Sequence, residues 1–443
     1  MTKVGWIPDD WLYVTLGEFT KWSSGGTPSK ANDDYWNGDI PWISAVSMRG
    51  TRYHDSVRKI TATGLQTGSR IAPKNSILLL VRGSMLHKKI PVGIAARDVA
   101  FNQDVKSIVP EGNTASTEYL LCWFLGNERR LMAMVGGTGI GAGKLDYDEL
   151  RSLPIPLPPL LEQEAIAGVL ECWDRAIHKY EEKLEKKKNI KKGLMQRLLS
   201  GKQRLPGFSG EWKSLAFGNV FSFMKTYPFS RDQLTTETTN NTIIYNIHYG
   251  DLHATYSGCT LDCAKEKSLP RLRNSSDIPD DSVLLQDGDL VIADVSEDYE
   301  GVCACIELKN VCGKKITGGL HTFAARDSEG KTASGYIGYI LKDRSVTKEL
   351  MRIATGVSVY GVSKRNLARV RIHLPSVMEQ RAIALVLSAA DEEISALERK
   401  LAFLKEQKRF LLNNLVTGTI RLPEFNAGNN TYRMRFTNNE VDN

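Results

Sequence analysis

A glycine-rich segment at residues 136–144 (GGTGIGAGK) has the composition of a phosphate-binding loop. Glycine lets the backbone approach a phosphate closely, and a lysine in such a loop would neutralise its charge. A nucleotide-binding loop has Ser or Thr after its Lys, whereas Lys144 is followed by Leu145. We therefore disfavour nucleotide binding, and either a plain flexible loop or a loop that contacts DNA remains open.

A second candidate for chemistry is a pair of acidic segments in the order used by metal-dependent nucleases. Asp280 follows Pro279, and further along the chain Glu307 precedes Lys309 by two positions. Carboxylates in this order can hold a divalent ion that activates water. We expect Asp280 and Asp281 to lie in a turn and Glu307 on a surface strand, without catalysis.

The third candidate is a zinc site formed by Cys259, Cys263, Cys303, Cys305 and Cys312 with His248, His253 and His321. These residues contain no C-x-x-C pair, the usual unit of a structural zinc site. The seven cysteines are odd in number and irregularly spaced, which favours reduced thiols in a cytoplasm. We expect buried or idle thiols and no structural disulfide.

The composition is that of an ordinary globular protein. The 443 residues carry 58 Lys plus Arg against 51 Asp plus Glu, a net charge of +7 that mildly favours a polyanionic partner. Membrane spans need roughly 18 consecutive apolar residues, and secretion signals need a basic segment before an apolar one. The sequence contains neither pattern, so a cytoplasmic protein without membrane contact is expected.

The chain contains an internal repeat, in which residues 155–208 match residues 372–425 at a constant offset of 217. The alignment has 24 of 54 positions identical and no gap. The same offset aligns Tyr119 with Tyr336, and an offset of 201 aligns Trp11 with Trp212. These alignments predict two related globular units, each followed by one copy of the repeat.

Each copy of the repeat predicts one long helix. Pro158 and Pro375 stand where a helix can begin, and Gly201 and Gly418 where a left-handed residue can end it. The apolar positions form a heptad seam in each copy, interrupted by Lys187, Lys191 and Lys408. The seam residues are Ile166, Leu170, Trp173, Ile177, Tyr180, Leu184, Leu194 and Leu198 in the first copy, and Ile383, Leu387, Ala390, Ile394, Leu397, Leu401, Leu404, Leu411 and Leu415 in the second.

A solitary amphipathic helix would leave its apolar face in water. We expect the two helices to pack on each other, antiparallel because the chain must travel to the second globular unit and return. Packing on unrelated neighbours is the alternative. At 1.5 Å per residue each helix would span roughly 60 Å and hold the globular units at a fixed separation. Such a frame has approximate two-fold symmetry, like B-DNA.

The expected fold class is α+β, with two α/β domains separated by two long helices that form an antiparallel coiled coil. Equivalent strands are predicted at 77–82 and 290–293, and helices at 117–135, 333–342 and 346–353. The predicted domains are 1–154 (first globular unit), 155–205 (its helix), 206–371 (second globular unit), 372–425 (its helix) and 426–443 (polar tail).

Several segments carry a resemblance to a known family. They are GGTPS at 25–29, YWNGDIPWIS at 35–44, FNQ at 101–103 and two EQ-x-A-I-A helix starts after Leu-Pro. With them the chain resembles, over nearly its whole length, the DNA-specificity subunit of type I restriction-modification systems. The second globular unit departs from the pattern, because KTYPFSRDQ at 225–233 and IYNIHYGDLH at 244–253 stand where GGTPS and IPWIS would be.

The resemblance implies a non-catalytic protein that reads a bipartite target in double-stranded DNA, with one half-site for each target recognition domain. It would recruit two modification subunits, which methylate the target, and restriction/translocase subunits, which cut DNA. S-adenosylmethionine, ATP and Mg2+ would be bound by those partners and not by this chain. Half-sites on one face of DNA would lie about one helical turn apart, roughly 10 base pairs.

Candidate DNA contacts are basic, hydroxyl and aromatic residues on predicted loops, since such side chains bind phosphates and base edges. In the first globular unit they are Ser44, Arg49, Arg52, Arg82, Lys88, Thr138 and Lys144. In the second they are Arg271, Arg273, Tyr360, Lys364 and Arg365. We expect Trp22, Trp36 and Trp42 to lie in the core, with Trp36 and Trp42 packed together. The lysine run at 186–192 is expected to be a solvated face or a partner contact.

Two other functions remain open. A self-contained DNA methyltransferase would need an Asn/Asp-Pro-Pro-Tyr/Phe element, and the pair Pro158-Pro159 follows Leu157 instead. A coiled-coil adaptor that never touches DNA is the second alternative. Genes for modification and restriction subunits beside this one would argue against it.

Overall fold

A computed structural model describes residues 3–137, 141–237, 244–256, 258–273, 283–426 and 432–436. The chain forms two compact units, which we call unit 1 (residues 1–181 and 400–443) and unit 2 (residues 182–399). Each unit therefore contains part of both long helices. Within the described ranges, no helix combines the length and the apolar character needed to cross a membrane.

The described strands up to residue 198 are β1 (Lys3–Pro8), β2 (Leu12–Thr15), β3 (Thr20–Ser24), β4 (Trp36–Ile43), β5 (Arg52–Tyr53), β6 (Lys59–Ile60), β7 (Arg70–Ala72), β8 (Ile77–Leu80), β9 (Arg82–Gly83), β10 (Val92–Ala95), β11 (Val99–Phe101), β12 (Val105–Pro110), β13 (Gly136–Gly137), β14 (Gly143–Lys144) and β15 (Pro154–Leu157). The helices of this part are α1 (Leu16–Phe19), α2 (Ala62–Gly68), α3 (Thr117–Gly126), α4 (Glu128–Ala133), α5 (Tyr147–Arg151) and α6 (Leu160–Leu198).

The described strands that follow are β16 (Lys213–Ala216), β17 (Ser222–Met224), β18 (Leu234–Thr235), β19 (Ile244–Ile247), β20 (Thr260–Asp262), β21 (Arg271–Leu272), β22 (Leu290–Ala293), β23 (Val295–Ser296), β24 (Cys305–Lys309), β25 (Lys315–Gly318), β26 (Thr322–Arg326), β27 (Tyr360–Gly361), β28 (Arg371–Leu374) and β29 (Tyr432–Phe436). The helices are α7 (Tyr249–Ala254), α8 (Ile337–Ile340), α9 (Arg344–Ile353), α10 (Lys364–Arg369) and α11 (Val377–Leu415).

Unit 1 is built on a five-stranded sheet, in the order β3-β12-β8-β10-β5, and a four-stranded sheet, in the order β6-β4-β11-β7. Strand β8 is central and antiparallel to both neighbours, and its four apolar side chains are fully buried. An uninterrupted apolar run is typical of a strand that is covered on both faces. The strand predicted at 77–82 is confirmed, with its end at Leu80.

Unit 2 repeats this topology. Its five-stranded sheet has the order β17-β26-β22-β24-β20, and β22 occupies the central place that β8 has in unit 1. The prediction that these two strands are equivalent is confirmed. Each four-stranded sheet contains a parallel pair, β4 with β11 in unit 1 and β19 with β25 in unit 2.

The helices of the globular units are shorter than predicted. The helix expected at 117–135 divides into α3 and α4 at Asn127, whose side-chain amide donates to the carbonyl of Trp123 (2.9 Å). Of the segment 333–342, only α8 is an α-helix, because Gly335 just before it has a φ of 87°, outside the helical range. The N–H groups of Gly335 and Gly338 donate to a carboxylate elsewhere. Helix α9 confirms the prediction at 346–353.

That carboxylate belongs to Glu307, and the prediction that Glu307 lies on a surface strand is wrong. It is fully buried in β24 and accepts hydrogen bonds from Gly335 N (2.6 Å), Gly338 N (3.0 Å) and the Ser334 hydroxyl (3.1 Å). Burial raises the pKa of Glu307. The residue connects β24 to α8. Asp280 and Asp281 lie outside the described residues.

All seven cysteines are free thiols. Cys259, Cys263, Cys303 and Cys305 are buried, and burial raises the pKa of Cys259 and Cys303 to about 12. A thiol with so high a pKa is a poor nucleophile and metal ligand at neutral pH. In the part of the chain that the structure describes, no three His, Cys, Asp or Glu side chains are grouped as metal ligands.

The long helices α6 and α11 both contain 39 residues and begin two residues after Pro158 and Pro375. Gly201 and Gly418 follow them with φ of 67° and 72°, the left-handed conformation predicted for these positions. The predicted helix boundaries are therefore confirmed.

The helices pack on each other within each unit. In unit 1, Ile166 near the start of α6 shares a core with Leu415 at the end of α11. In unit 2, Leu198 at the end of α6 shares a core with Ile383 near the start of α11. The start of each helix thus lies against the end of the other, as an antiparallel pair requires.

Candidate nucleic-acid interface

Three of the sequence motifs meet at one edge of unit 1. Strands β4 and β11 run parallel, with Ile43 beside Phe101 at their carboxyl ends. The N–H of Gly26 in GGTPS donates to the carbonyl of Phe101 (2.9 Å), and the hydroxyl of Thr27 donates to Oε1 of Gln103 (2.6 Å). GGTPS, IPWIS and FNQ therefore form one structural element, and Ser44, the last residue of IPWIS, directly follows β4.

The glycines of GGTPS are required by close packing. A Cβ on Gly25 would lie 2.0 Å from the carbonyl oxygen of Phe101, and one on Gly26 would lie 2.3 Å from that of Gly68. Any side chain there would force the two segments of backbone apart. The motif thus fixes the backbone beside the loop that begins at Ser44.

Trp42 lies in the core, as predicted, whereas Trp22 and Trp36 are half-buried and pack against the core from its edge. Trp42 is 4% exposed, and its indole N–H donates to the carbonyl of Gly26 (3.0 Å). Trp36 packs edge-to-face on Trp42 with ring centroids 5.3 Å apart, and Trp22 packs in the same way on Tyr147 at 5.7 Å.

Unit 2 builds the same element from different residues. The N–H of Tyr227 donates to the carbonyl of Gly318 (2.8 Å), as Gly26 does to Phe101. The buried amide of Asn246 donates to the carbonyl of Tyr227 (3.2 Å), as Trp42 does to Gly26. The segments 225–233 and 244–253 thus stand where the sequence alignment placed them, and His248 follows β19 as Ser44 follows β4.

A small ribbon of strands carries two of the predicted cations of unit 1. Strand β14 pairs antiparallel with β9, and in this register Lys144 lies opposite Arg82. Both side chains are exposed. Two neighbouring exposed cations on a rigid ribbon form a surface suited to phosphate groups.

The glycine-rich segment 136–144 contributes β13 and β14 to this ribbon. A Cβ on Gly143 would lie 2.6 Å from Cγ1 of Val135, so packing explains this glycine. The next helix, α5, has its N-terminus capped by the carboxylate of Asp146, which accepts from the N–H of Asp148 (2.9 Å) and of Glu149 (3.1 Å). A nucleotide phosphate would need that helix end. Thr138 lies outside the described residues.

The corresponding ribbon of unit 2 carries aromatic residues. Strand β23 pairs antiparallel with β27, which places Ser296 opposite Tyr360. The ring of Tyr360 packs against that of Tyr299 with centroids 3.9 Å apart, and Tyr299 is 47% exposed. The two ribbons therefore offer different chemistry at equivalent places of the fold.

Some predicted contacts are engaged within the protein. Arg52 pairs through both terminal nitrogens with the carboxylate of Glu118 (2.8 and 2.7 Å), which raises the pKa of Arg52. Arg271 lies over the ring of Tyr245 at 5.3 Å. Nε of Arg273 donates to the carbonyl of Leu234 (3.0 Å). These interactions give the three arginines a role in holding the fold.

The remaining candidates are accessible. Arg49, Lys88, Lys364 and Arg365 are exposed, and Ser44 is half-buried. The ammonium of Lys364 lies 5.6 Å from the ring centroid of Phe323, at the start of α10.

Sequence reasoning did not identify a cluster of imidazoles around Tyr249 as a surface of unit 2. The Tyr249 ring centroid lies 4.6 Å from that of His248, 5.4 Å from that of His321 and 6.3 Å from that of His253. His321 Nδ1 lies 3.3 Å from Oδ1 of Asp294. The segment NIHYGDLH at 246–253 brings His248, Tyr249 and His253 close together in sequence. On the sequence alone, His248, His253 and His321 were considered only as zinc ligands.

Comparison with known proteins finds one family to which part of this chain is similar. The family described as type I restriction modification DNA specificity domain matches residues 8–188. The chain is 34% identical over 164 residues to the specificity subunit of the type I restriction enzyme EcoR124I/EcoR124II from Escherichia coli, which spans 37% of this chain and only 40% of that protein. It is 24% identical over 432 residues to the specificity subunit of the type I restriction enzyme MjaVIII from Methanocaldococcus jannaschii, spanning 95% of each chain.

The fold agrees with the sequence relatives. The structure matches that of the S subunit of a type I restriction-modification system from M. genitalium with a TM-score of 0.53, 14% identity and coverage of 94% of this chain and 99% of that one. A likeness at this identity shows the shared architecture of two mixed α/β units and paired long helices. In its repeat, its motif cluster and these comparisons, the chain is similar to the DNA-specificity subunits of type I restriction-modification systems.

Proposed function

We propose that the chain reads a bipartite double-stranded DNA sequence and has no catalytic role of its own. Residues 1–154 would read one half-site and residues 206–371 the other. The single observation that carries this proposal is the pair of ribbons, which share a position in the fold but present Arg82 and Lys144 in one unit and Tyr360 in the other. A split asymmetric target needs two recognition domains of common shape and different surface. We call residues 1–154 the first reader and residues 206–371 the second reader.

The first reader is basic. Arg82, Lys144 and Lys88 would bind phosphates and fix the orientation of the domain, since cations supply the sequence-independent part of DNA affinity. Arg49 and Ser44 lie after β4, beside the motif cluster, and would reach base edges. An arginine binds the O6 and N7 atoms of guanine through two hydrogen bonds.

The second reader combines aromatic and imidazole groups with fewer free cations. Tyr360 and the Tyr249 ring would contact thymine methyl groups or base edges, and Lys364 and Arg365 would bind phosphates. The imidazoles of His253 and His321 can donate or accept hydrogen bonds according to their protonation state. This surface would select different bases from those selected by the first reader.

The paired helices would set the unspecified spacer and bind two modification subunits and the restriction/translocase subunits. S-adenosylmethionine, ATP and Mg2+ would be bound by those partners. A self-contained methyltransferase and an adaptor that never touches DNA are the alternatives to this proposal.

Exchange of residues 206–371 for the corresponding domain of a relative with a known target tests independent reading. Methylation maps of cells that carry the exchanged chain and its modification subunit should show one altered half-site. The reciprocal exchange of residues 1–154 is the matched control and should alter the other half-site. A change of both half-sites in either hybrid would contradict independent reading, and an unchanged map would favour the adaptor.

A separate assay addresses catalysis. The purified chain should transfer no methyl group from S-adenosylmethionine to DNA, and addition of the modification subunit should produce methylation at the bipartite target. Methyl transfer by the chain alone, free of contaminating enzyme, would establish the methyltransferase alternative.

A further inference from the structure

Each long helix begins with a Glu-Gln pair that is buried although it lies in the first turn. Glu162 and Gln163 of α6 are 0% exposed, and Glu379 and Gln380 of α11 are 1% and 0% exposed. Burial of polar groups is costly unless each group has a hydrogen-bond partner. Most partners of these four side chains lie in segments far away in sequence, and each glutamine also binds the proline just before its helix.

The side-chain oxygen and nitrogen of Gln163 both form hydrogen bonds, which connect the start of α6 to Pro158 before it and to the segment between β12 and α3. Its Oε1 accepts from the N–H of Ser116 (2.8 Å), and its Nε2 donates to the carbonyls of Thr114 (2.9 Å) and Pro158 (2.8 Å). Thr114 and Ser116 belong to the connection between β12 and α3. The glutamine therefore ties the start of the long helix to the globular part of the unit.

Gln380 makes the same three contacts in unit 2. Its Oε1 accepts from the N–H of Ala333 (2.9 Å), and its Nε2 donates to the carbonyls of Lys331 (3.1 Å) and Pro375 (3.0 Å). Every one of these partners is displaced from its unit 1 equivalent by the repeat offset of 217. All the contacted atoms belong to the backbone, so this contact tolerates divergence of the side chains around it.

The glutamates bind the segment that follows the opposite long helix. Glu162 accepts from Nε (2.9 Å) and Nη2 (2.6 Å) of Arg421, which follows α11. Glu379 accepts from Nε (2.5 Å) and Nη2 (2.6 Å) of Arg204, which follows α6. The arginine that follows one long helix thus binds the glutamate in the first turn of the other.

We propose that each Glu-Gln pair, with its arginine, positions a recognition domain on the long helices and thereby fixes the register in which its half-site is read. This inference rests on the proposed function. Among the described residues, the hydrogen bonds of these four side chains go to no candidate DNA-binding residue, so they would act through the orientation of the domain. A domain that tilts on its helix carries its ribbon along the DNA axis, and the accepted spacer length then broadens.

Each Glu-Gln pair and its arginine form what we call a positioning joint. The joint of unit 1 has more contacts than the joint of unit 2. In unit 1, Oε2 of Glu162 also accepts from the Trp11 indole N–H (3.1 Å), and Arg421 also pairs with Asp10 (3.0 and 2.8 Å). In unit 2, the buried indole N–H of Trp212 has no hydrogen-bond partner among the described residues. The second joint therefore depends more strongly on Gln380 and Glu379.

The test is a spacer-selectivity assay on the chain assembled with its modification subunit. The rate of methylation is measured on the native target and on targets whose spacer is one base pair longer or shorter. Q380A should lower the preference for the native spacer about threefold to tenfold, because three hydrogen bonds of a buried amide are lost. Q163A should give a smaller loss, and Q196A, an exposed glutamine of α6, is the matched control that should give none.

A charge exchange separates positioning from simple stability. R204E and E379R should each lower the spacer preference, and the double variant R204E/E379R should recover part of it. Thermal unfolding of each variant gives the folded fraction, since a loss of stability alone lowers methylation of all targets in the same proportion. Folded Q380A with unchanged spacer preference would overturn the inference. Absence of bipartite methylation by the unaltered chain would instead overturn the proposed function.

Discussion

Lys191 and Asp391 form an ion pair between the two long helices in unit 2, where their side chains are 16% and 29% exposed. The equivalent residues of the repeat, Lys408 and Asp174, pair at 2.5 Å in unit 1 with 20% and 59% exposure. Both lysines occupy positions in the apolar seam. Each break in the seam is therefore matched by a carboxylate of the opposite helix, and the repeat preserves this pair in both units.

Replacement of Asp391 by Asn should destabilise the protein more than replacement of Asp174 by Asn. Asp391 also accepts a hydrogen bond from the hydroxyl of Tyr339 (2.6 Å), whereas the repeat offset places Cys122 at the position equivalent to Tyr339. Loss of a partly buried charge that has two partners costs about 1–3 kcal/mol. Loss of an exposed pair costs about 0–1 kcal/mol. Denaturant unfolding of both variants measures the difference, and equal effects would contradict the assignment.

The double variant R82A/K144A should weaken DNA binding and reduce its salt dependence. Each phosphate contact contributes about 0.9 to the slope of log affinity against log salt concentration, so removal of two should lower the slope by about 2. Fluorescence anisotropy at several salt concentrations, with the chain in its methyltransferase complex, measures this slope. K74A is the control, because Lys74 is also exposed but precedes β8, whereas Arg82 follows it. An unchanged slope would show that Arg82 and Lys144 do not contact phosphates.

Replacement of Tyr360 by Ala should impair recognition of one half-site only. The ring packs on Tyr299 and belongs to the ribbon of unit 2, so its loss removes a contact surface from the second reader alone. We expect about a tenfold loss of discrimination at one or two bases of that half-site, since one good base contact contributes about 1–3 kcal/mol. Y360F retains the ring and should stay close to the unaltered protein. Methylation rates on targets with single-base changes decide the matter, and equal losses in both half-sites would refute the assignment.

The sequence predicted the fold where it repeats itself. The heptad seam, the flanking prolines and the glycines gave helices α6 and α11 with correct ends, and an apolar run directly after a turn identified β22 as the equivalent of β8. Periodicity and alignment predict these elements because each copy of the repeat must bury an apolar seam of the same length against the other copy. The lysines at 187, 191 and 408 were interpreted as interruptions of the seam, and those at 187 and 191 also as part of a solvated face or partner contact. Their carboxylate partners lie about 200 residues away and have no local signal in the sequence.

The candidate interface was less predictable. Arg82 and Lys144 were selected as isolated loop cations, and their pairing across one ribbon depends on a long-range strand register. Arg52 has the same residue type but is bound to Glu118, a contact that spacing does not reveal. Glu307 was placed on the surface because acidic residues are mostly exposed, whereas two glycine N–H groups and a serine hydroxyl satisfy it in the core.

Stability of unit 2 should decrease on acidification through His248. This residue precedes α7, and its Nδ1 accepts the N–H of Gly250 (3.1 Å), which only the neutral ring can do. Burial, assisted by the charge of Arg231 and by His321 and opposed by Asp251, lowers the pKa of His248. Below the ordinary pKa of about 6.5 the unfolded chain therefore binds a proton that the folded chain resists, and stability falls as pH falls.

The variant H248N isolates this effect. Asn is a favoured residue before a helix and can accept the same N–H without titrating. Between pH 7.5 and pH 5.5 the unaltered protein should lose more unfolding free energy than H248N, measured by denaturant titration at each pH. Glu307, whose raised pKa acts in the opposite direction, is present in both proteins and cancels in the comparison. Asp294, whose pKa burial also raises, is likewise present in both proteins. Parallel stability curves for the two proteins would show that His248 is not the group that responds, because the remaining titratable groups are identical.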